Sequence, residues 1–214
     1  YDQLTGLPNR RLLLDRLRHA LAGCTRSTRS GALLFLDLDN FKTLNDTLGH
    51  DVGDQLLREA ATRLTSCVRQ SDTVARLGGD EFVIVLEDLE GPDEHHLAAM
   101  QVETLAIKVQ TQLNLPYLLD VGTMGDTINR RSHQCSCSIG IAMFDAQPVS
   151  AEELMKRADT AMYQAKAAGR NAMRFFDPEM QAAVTARAAM EADLRRAIKE
   201  NQFVLHYQAQ VDAD

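Results

Sequence analysis

The sequence predicts an α+β fold in which a central mixed, mostly antiparallel β-sheet is flanked by helices. A continuous apolar run at 31–38 is typical of a central strand buried on both faces. Two β-rich segments at 73–77 and 82–87 are separated by a Gly-Gly-Asp-Glu turn at 78–81, which indicates a hairpin. Between these strands, apolar residues recur at helical spacing, so the helices are expected to pack against the sheet.

The first half of the sequence predicts three helices and three strands. Leu13 and Leu17 recur at helical spacing, and the Leu-Pro-Asn turn at 7–9 begins their helix. Asp51 fits the N-cap of the longer helix that follows a loop at Gly49 and His50. The predicted elements are a helix at 9–23, a strand at 31–38, a short helix at 40–47, a helix at 52–69, and the hairpin strands at 73–77 and 82–87.

The second half predicts three more helices and three more strands. The segment at 114–134 is expected to be irregular, because it ends in a polar stretch without a clear period. Its polar part at 121–134 is expected to be either disordered or in contact with a partner. We divide the chain into a domain at 1–176 and a separate segment at 177–214. The predicted elements are a helix at 93–113, a strand at 135–143, a helix at 151–168 that stops at Gly169, a strand at 172–176, a helix at 178–200 and a strand at 202–211.

The composition and net charge of the chain argue against several classes of partner and site. The 214 residues carry a net charge of −7, which argues against a nucleic-acid backbone or an anionic membrane as the main partner. An acidic protein that handles phosphates is expected to use a metal cation to bridge them. No apolar run approaches the ~18 residues of a membrane span. The four cysteines have neither metal-site nor disulfide spacing, which predicts reduced thiols in a cytoplasmic protein.

Two acidic pairs stand where strands end or turn. Asp37 and Asp39 close the apolar strand, and Asp80 and Glu81 stand at the hairpin tip. Taken alone, the first pair could be solvated acids at the end of a strand, and the second pair could belong to an ordinary hairpin turn. Together, the two pairs could converge on Mg²⁺, which prefers one or two carboxylates with water and substrate phosphates. That arrangement suits metal-assisted phosphoryl or nucleotidyl transfer.

A third group lies between the two acidic pairs. Asn45 and Asp54 could both be helix caps. Alternatively, an Asp carboxylate can accept hydrogen bonds from the N1–H and N2–H₂ edge of guanine, and an Asn amide can complement that edge. Adenine presents the opposite polarity, so the same two residues would favour guanine.

Five motifs in order resemble the GGDEF family of diguanylate cyclases, and the resemblance extends from residue 1 to about 176. The segment RLGGDEF at 76–82 resembles the family signature. The other four are DQLTGLPNR at 2–10, DLDNFK at 37–42, NDTLGH at 45–50 and AKAAGRN at 165–171. The resemblance implies a nucleotidyl-cyclase-like fold and a Mg²⁺- or Mn²⁺-dependent enzyme. Such an enzyme joins two GTP molecules into cyclic di-GMP, with one GTP held by each subunit of a homodimer.

The resemblance also implies a role for each matching residue. Metal would be bound by Asp37, the Leu38 carbonyl and Asp80, while Asp80 and Glu81 would be the catalytic acids. Asn45 and Asp54 would read guanine. The turn glycines and several cations and amides would hold the substrate, namely Gly78, Gly79, Lys42, Lys166, Arg170 and the backbone N–H groups near Asn40 and Phe41. Without the family context, Lys166 and Arg170 could instead be partners of a helix C-terminal dipole.

Two further features follow from the same resemblance. Arg69 and Asp72 match an inhibitory product site that the family carries upstream of its signature, although a surface ion pair is the simpler interpretation of four residues. The tail from about 187 resembles the start of an EAL domain, the phosphodiesterase for cyclic di-GMP, and we interpret 177–214 as a linker helix and the first strand of that domain. A regulatory domain that binds GTP or cyclic di-GMP without catalysis is the alternative to an active cyclase.

Overall fold

The apolar run at 31–38 forms the centre of the sheet in the computed structural model, which describes residues 1–27, 29–89, 95–124, 127–200 and 202–203. The helices are α1 (Arg10–Ser27), α2 (Phe41–Leu48), α3 (His50–Cys67), α4 (His95–Leu113), α5 (Ala151–Ala167) and α6 (Pro178–Lys199). The strands are β1 (Ser30–Leu38), β2 (Thr73–Gly78), β3 (Glu81–Leu89), β4 (Tyr117–Met124), β5 (Thr127–His133), β6 (Cys137–Phe144) and β7 (Met173–Phe175).

Five strands form one sheet in the order β2-β3-β1-β6-β7. The β2–β3, β3–β1 and β1–β6 pairs are antiparallel, and the β6–β7 pair is parallel. The predicted α+β class with a mixed, mostly antiparallel sheet is therefore confirmed.

The side chains of β1 alternate between two apolar cores, as expected of a strand covered on both faces. Leu34 and Leu36 belong to the core formed with α3 and α4, whereas Leu33 and Phe35 belong to the core formed with α1 and α5. The alternation decides which helix a functional side chain can meet. By this alternation, the side chain at position 37 lies on the same face of the sheet as Leu33 and Phe35, the face covered by α1 and α5.

The prediction of an irregular segment at 114–134 was wrong. Strands β4 and β5 pair with each other in a separate two-stranded sheet. Tyr117 and Leu119 are buried on one side of it, while Leu118 is 71% exposed on the other. The polar residues of β5 hide this alternation in the sequence. A two-stranded hairpin also needs packing against another element for its stability, which the local sequence does not reveal.

The predicted N-cap of the longer helix was also wrong. The cap residue of α3 is Gly49, and Asp51 lies inside the first turn, where its negative charge faces the positive end of the helix dipole. The helix predicted at 178–200 is confirmed as α6. Most of the strand predicted at 202–211 lies outside the described residues. No described helix combines the length and apolarity needed to cross a membrane.

Candidate active site

The predicted acidic residues meet at one end of the sheet. Asp37 pairs with Glu81 in the antiparallel register of β1 and β3. One residue further on, the Leu38 amide donates a hydrogen bond to the Asp80 carbonyl oxygen at 3.2 Å. The hairpin turn between β2 and β3 is therefore fastened to the end of β1, and both acidic pairs stand side by side.

Asp37 is a buried carboxylate with a cationic partner. Its residue is 7% exposed, and Lys166 Nζ lies 2.7 Å from its Oδ2. Burial raises the pKa of Asp37 to about 6, against the opposing hydrogen bond from Lys166. Lys166 stands in the last turn of α5, so the packing of α5 on this face of the sheet brings the two residues together.

Glu81 is half-buried beside the same cluster. Burial, together with the negative charges of Asp80 and Asp159, raises the pKa of Glu81, while Lys166 and Arg10 oppose this increase. Asp159 and Arg10 belong to no site predicted from the sequence. Carboxylates crowded in this way hold an excess of negative charge, which a bound cation would offset.

Arg76 fixes the turn that carries Asp80. Its guanidinium donates to the Gly79 carbonyl oxygen from Nε at 3.1 Å and from Nη2 at 2.8 Å. The Nη1 atom donates to both carboxylate oxygens of Asp2 at 3.0 Å. Burial alone would raise the pKa of Asp2, but hydrogen bonds from Thr5 and Arg76 outweigh it and lower that pKa. Arg76 stands inside the signature but belongs to none of the sites predicted from the sequence.

Asp39 has a structural environment that differs from that of Asp37. Its Oδ1 accepts a hydrogen bond from the Ser138 hydroxyl at 2.7 Å. Its Oδ2 accepts from the Ser136 hydroxyl at 2.6 Å and from the Asn171 amide at 3.0 Å. Asp39 is 4% exposed, and both of its oxygens are occupied. It joins β1 to the start of β6 and to the chain that leaves α5, whereas Asp37 faces Lys166.

We expect Asp39→Asn to destabilise the fold by about 2–3 kcal/mol, since hydrogen bonds to a buried charged group are each worth roughly 1.5–3 kcal/mol and an Asn amide nitrogen cannot accept from Asn171. For a chain of this size the melting temperature should fall by roughly 5–10 °C. Circular dichroism on heating measures the change. An unchanged melting temperature would show that this network contributes little to the fold.

The N-terminus of α2 follows directly after the acidic end of β1. Its cap residue, Asn40, is exposed and has a left-handed backbone (φ 61°), without a side-chain cap to the helix. The first amides of α2, at Phe41 and Lys42, therefore stand at a helix end, which favours phosphate binding. Lys42 is exposed beside them. Arg170 is exposed just beyond α5 and also has a left-handed backbone (φ 62°).

The residues predicted to read guanine lie where α2 and α3 meet. Asn45 Oδ1 is buried and has no hydrogen-bond partner in the part of the chain that the structure describes. It is packed against Gly53, where an added Cβ would overlap it, so a glycine is required for this close approach. Asp54 follows on α3 and is half-buried. Its carboxylate makes no hydrogen bond or ion pair with a described residue.

Only a few protein groups are predicted to bind the metal. Within the part of the chain that the structure describes, no three His, Cys, Asp or Glu side chains form a group that could hold a metal. The predicted set has two carboxylates, those of Asp37 and Asp80, and the Leu38 carbonyl. These hard oxygen donors fit Mg²⁺, which usually keeps several waters and binds substrate phosphates at its other positions.

The predicted product site lies beside a separate cavity of about 460 Å³. Asp72 and Arg69 are joined through the backbone, because Asp72 Oδ2 accepts from the Arg69 amide at 2.9 Å. The Arg69 guanidinium makes no hydrogen bond or ion pair with the described residues, so the simpler interpretation of a surface ion pair does not describe this structure. The cavity is also lined by Lys108, Glu87 and Gln101.

Comparison with known proteins identifies the family. The model of the family described as "Diguanylate cyclase, GGDEF domain" matches residues 1–172. The chain belongs to the GGDEF family. The chain is 44% identical over 211 residues to the bifunctional diguanylate cyclase/cyclic di-GMP phosphodiesterase MucR of Pseudomonas aeruginosa. The match covers 99% of this chain and 28% of MucR, so the chain spans less than a third of that relative.

Two solved structures share the fold. The GGDEF domain of PA1120 (YfiN or TpbB) from Pseudomonas aeruginosa has a TM-score of 0.70 and 34% identity, and the match covers 80% of this chain and 97% of that one. The GGDEF domain of DgcB from Caulobacter crescentus, solved in complex with c-di-GMP, has a TM-score of 0.69 and 29% identity, with 82% and 94% covered. The five-stranded sheet with its flanking helices is therefore the architecture of a GGDEF domain.

Proposed function

We propose that this GGDEF domain is an active, Mg²⁺-dependent diguanylate cyclase that condenses two GTP molecules into cyclic di-GMP. The observation that supports this proposal most strongly is the meeting of Asp37, Asp80, Glu81 and Lys166 at the end of β1. The two signature acids are intact, and loss of one would be the simplest sign of a domain that only binds nucleotide.

Different residues around this cluster would bind different parts of GTP. Asn45 and Asp54 would orient the guanine. The amides at the start of α2, with Lys42, Lys166 and Arg170, would hold the triphosphate. Bound Mg²⁺ would supply positive charge at the transferring phosphate, held by Asp37, Asp80 and the Leu38 carbonyl. Lys166 would exchange its contact with Asp37 for a phosphate oxygen as the substrate enters.

The reaction requires two copies of the chain. Each 3′-hydroxyl oxygen attacks the α-phosphorus of the other GTP, so two P–O bonds form, and two pyrophosphates leave. The hydroxyl protons pass to a base, for which Glu81 and Asp80 are the candidates. One site holds one GTP in one orientation, and a transient homodimer supplies the second substrate in the opposed orientation.

Incubation with GTP and Mg²⁺ tests the proposal. We expect cyclic di-GMP and pyrophosphate to form, ATP to be rejected, and a chelator to stop the reaction. Chromatography with mass detection measures the product. Binding of GTP without any product, at protein concentrations that allow dimers, would reject the cyclase.

A regulatory domain that binds GTP or cyclic di-GMP without catalysis is the second candidate. MucR is named as bifunctional, and this chain spans only 28% of it. We propose that α6 and the residues up to 214 form a linker helix and the start of an EAL phosphodiesterase domain. Under this alternative, GTP would change the phosphodiesterase rate of the longer protein while no cyclic di-GMP was synthesised.

We expect synthesis by the wild-type chain to slow as cyclic di-GMP accumulates, and Arg69→Ala to relieve this inhibition. The Arg69 guanidinium, which has no partner among the described residues, can make a bidentate contact with a product phosphate or with a guanine edge. Loss of that contact should raise the inhibitory concentration by about 5–150-fold, the range of a typical coupling free energy. Initial rates at several concentrations of added product measure the effect.

Arg58→Ala is the matched control for this experiment, because Arg58 is an exposed arginine on α3 away from the cavity. It should leave both the initial rate and the inhibition unchanged. Equal sensitivity of Arg69→Ala and wild type to added product would remove Arg69 from the inhibitory site.

A further inference from the structure

The side chain of Gln55 ties α3 to the β4–β5 hairpin. Its Nε2 donates a hydrogen bond to the Asp120 carbonyl oxygen at 3.0 Å, and its Oε1 accepts one from the Asp120 amide at 2.9 Å. A single side-chain amide therefore satisfies both backbone groups of one residue on β4, as a neighbouring strand would.

This contact stands at the end of the regular pairing of the hairpin. The register of β4 and β5 shifts between Asp120 and Thr123. On the opposite strand, the Arg130 Nε donates to Asp120 Oδ1 at 2.8 Å. Asp120 is thus held by its backbone to α3 and by its side chain to β5.

A second tie lies two turns further along α3. Arg63 donates to the Gln112 carbonyl oxygen in the last turn of α4 and to two carbonyl oxygens of the loop before β4. Its guanidinium also lies 3.8 Å from the centre of the Tyr117 ring. Gln55 and Arg63 are eight residues apart, which is about 80° around the helix axis. Both contact the chain at or just before β4, and these two anchors restrict rotation of α3 about its axis.

Gln55 directly follows the residue proposed to read guanine. Gly53 is packed against Asn45 of α2, and Gln55 is bonded to β4, so both chain neighbours of Asp54 are fixed. Successive side chains leave a helix about 100° apart, so fixing the two neighbours also fixes the direction of Asp54. Because the sequence predicted an irregular segment at 114–134, it gave no sign of the contact between Gln55 and β4.

We propose that Gln55 is a positioning residue for base recognition, which it serves by anchoring α3 to Asp120 so that the Asp54 carboxylate faces the guanine edge. The proposal rests on the guanine-binding function proposed above. It assigns the β4–β5 hairpin a role in nucleotide specificity, although no residue of the hairpin is assigned a contact with the nucleotide.

The experiment compares the affinities of the full chain for GTP and for ITP, which lacks the 2-amino group of guanine. Wild type should prefer GTP by about 10–150-fold, the affinity difference expected from one hydrogen bond to a charged group. Gln55→Met keeps the length of the side chain and removes both hydrogen bonds. It should reduce the GTP-to-ITP ratio to about one or two while leaving the affinity for inorganic triphosphate with Mg²⁺ unchanged.

Two further variants complete the design. Gln55→Asn keeps the amide but is one methylene too short to reach Asp120, so it should behave like Gln55→Met even if the latter folds poorly. Arg130→Met removes the other side-chain contact of Asp120 and should keep the wild-type ratio, because the backbone contact with Gln55 remains.

The outcomes separate the two proposals. A GTP-to-ITP ratio that stays at the wild-type value in both Gln55 variants, or an equal loss of affinity for every ligand, overturns the positioning role. A wild type that does not distinguish GTP from ITP overturns both this role and the guanine site. A wild type that prefers GTP but forms no cyclic di-GMP rejects the cyclase and leaves the positioning role standing.

Discussion

Asp80→Asn is expected to reduce the formation of cyclic di-GMP by about a thousand-fold or more, because charge stabilisation by a metal contributes several kcal/mol at the transferring phosphate. The substitution removes one of the two carboxylates proposed to hold Mg²⁺. The fold should be unaffected, since Asp80 lies at a half-exposed turn beside the negative charges of Asp37 and Glu81. Product formation under saturating GTP and Mg²⁺ measures the loss.

Asp88→Asn is the matched control. Asp88 lies near the other end of β3, is exposed, and pairs with Arg29 at 3.4 Å. The same chemical change at this position should leave the rate within about two-fold of wild type, as expected for a surface substitution. If Asp80→Asn retained activity like the control, Asp80 would have no part in the mechanism. Circular dichroism on both variants checks that the folds are equal.

Gly140→Ala is expected to destabilise the domain by about 3 kcal/mol or more, above the usual cost of overpacking, because the obstacle is backbone. Gly140 lies in β6, where α5 packs directly on the strand. An added Cβ would overlap the Ala158 carbonyl oxygen and the Met162 amide nitrogen, and would lie 2.8 Å from Met162 Cα. The whole helix would have to move, and α5 carries Lys166. Thermal or urea unfolding measures the change.

Gly23→Ala is the control for this change. Gly23 lies within α1, and among the described residues an added Cβ would meet no atom within 4 Å. Because alanine is the better helix former, we expect Gly23→Ala to stabilise the domain by up to about 1 kcal/mol. A Gly140→Ala variant as stable as wild type would show that α5 does not rest directly on β6.

The sequence by itself determined the elements whose side-chain pattern is local. The apolar run of β1, the glycine turn between β2 and β3, and the helical periodicity of α1 and α3 are all visible within short windows. Asp37, Asp80 and Lys166 were also predicted as site residues from the sequence, because they stand in distinctive motifs. What makes these features predictable is that each depends on neighbours in the chain.

Only the tertiary structure decided the features that depend on distant partners. Asp37 and Asp39 are the same residue type two positions apart, yet one meets Lys166 of α5 and the other is enclosed by Ser136, Ser138 and Asn171. The β4–β5 hairpin likewise packs against side chains of α3 that precede their hairpin partners by about 55–65 residues. The side chains of α5 and α3 reach these partners only after each helix has packed against the sheet or the hairpin. Local sequence patterns do not show which residues that are far apart in the chain become neighbours in this way.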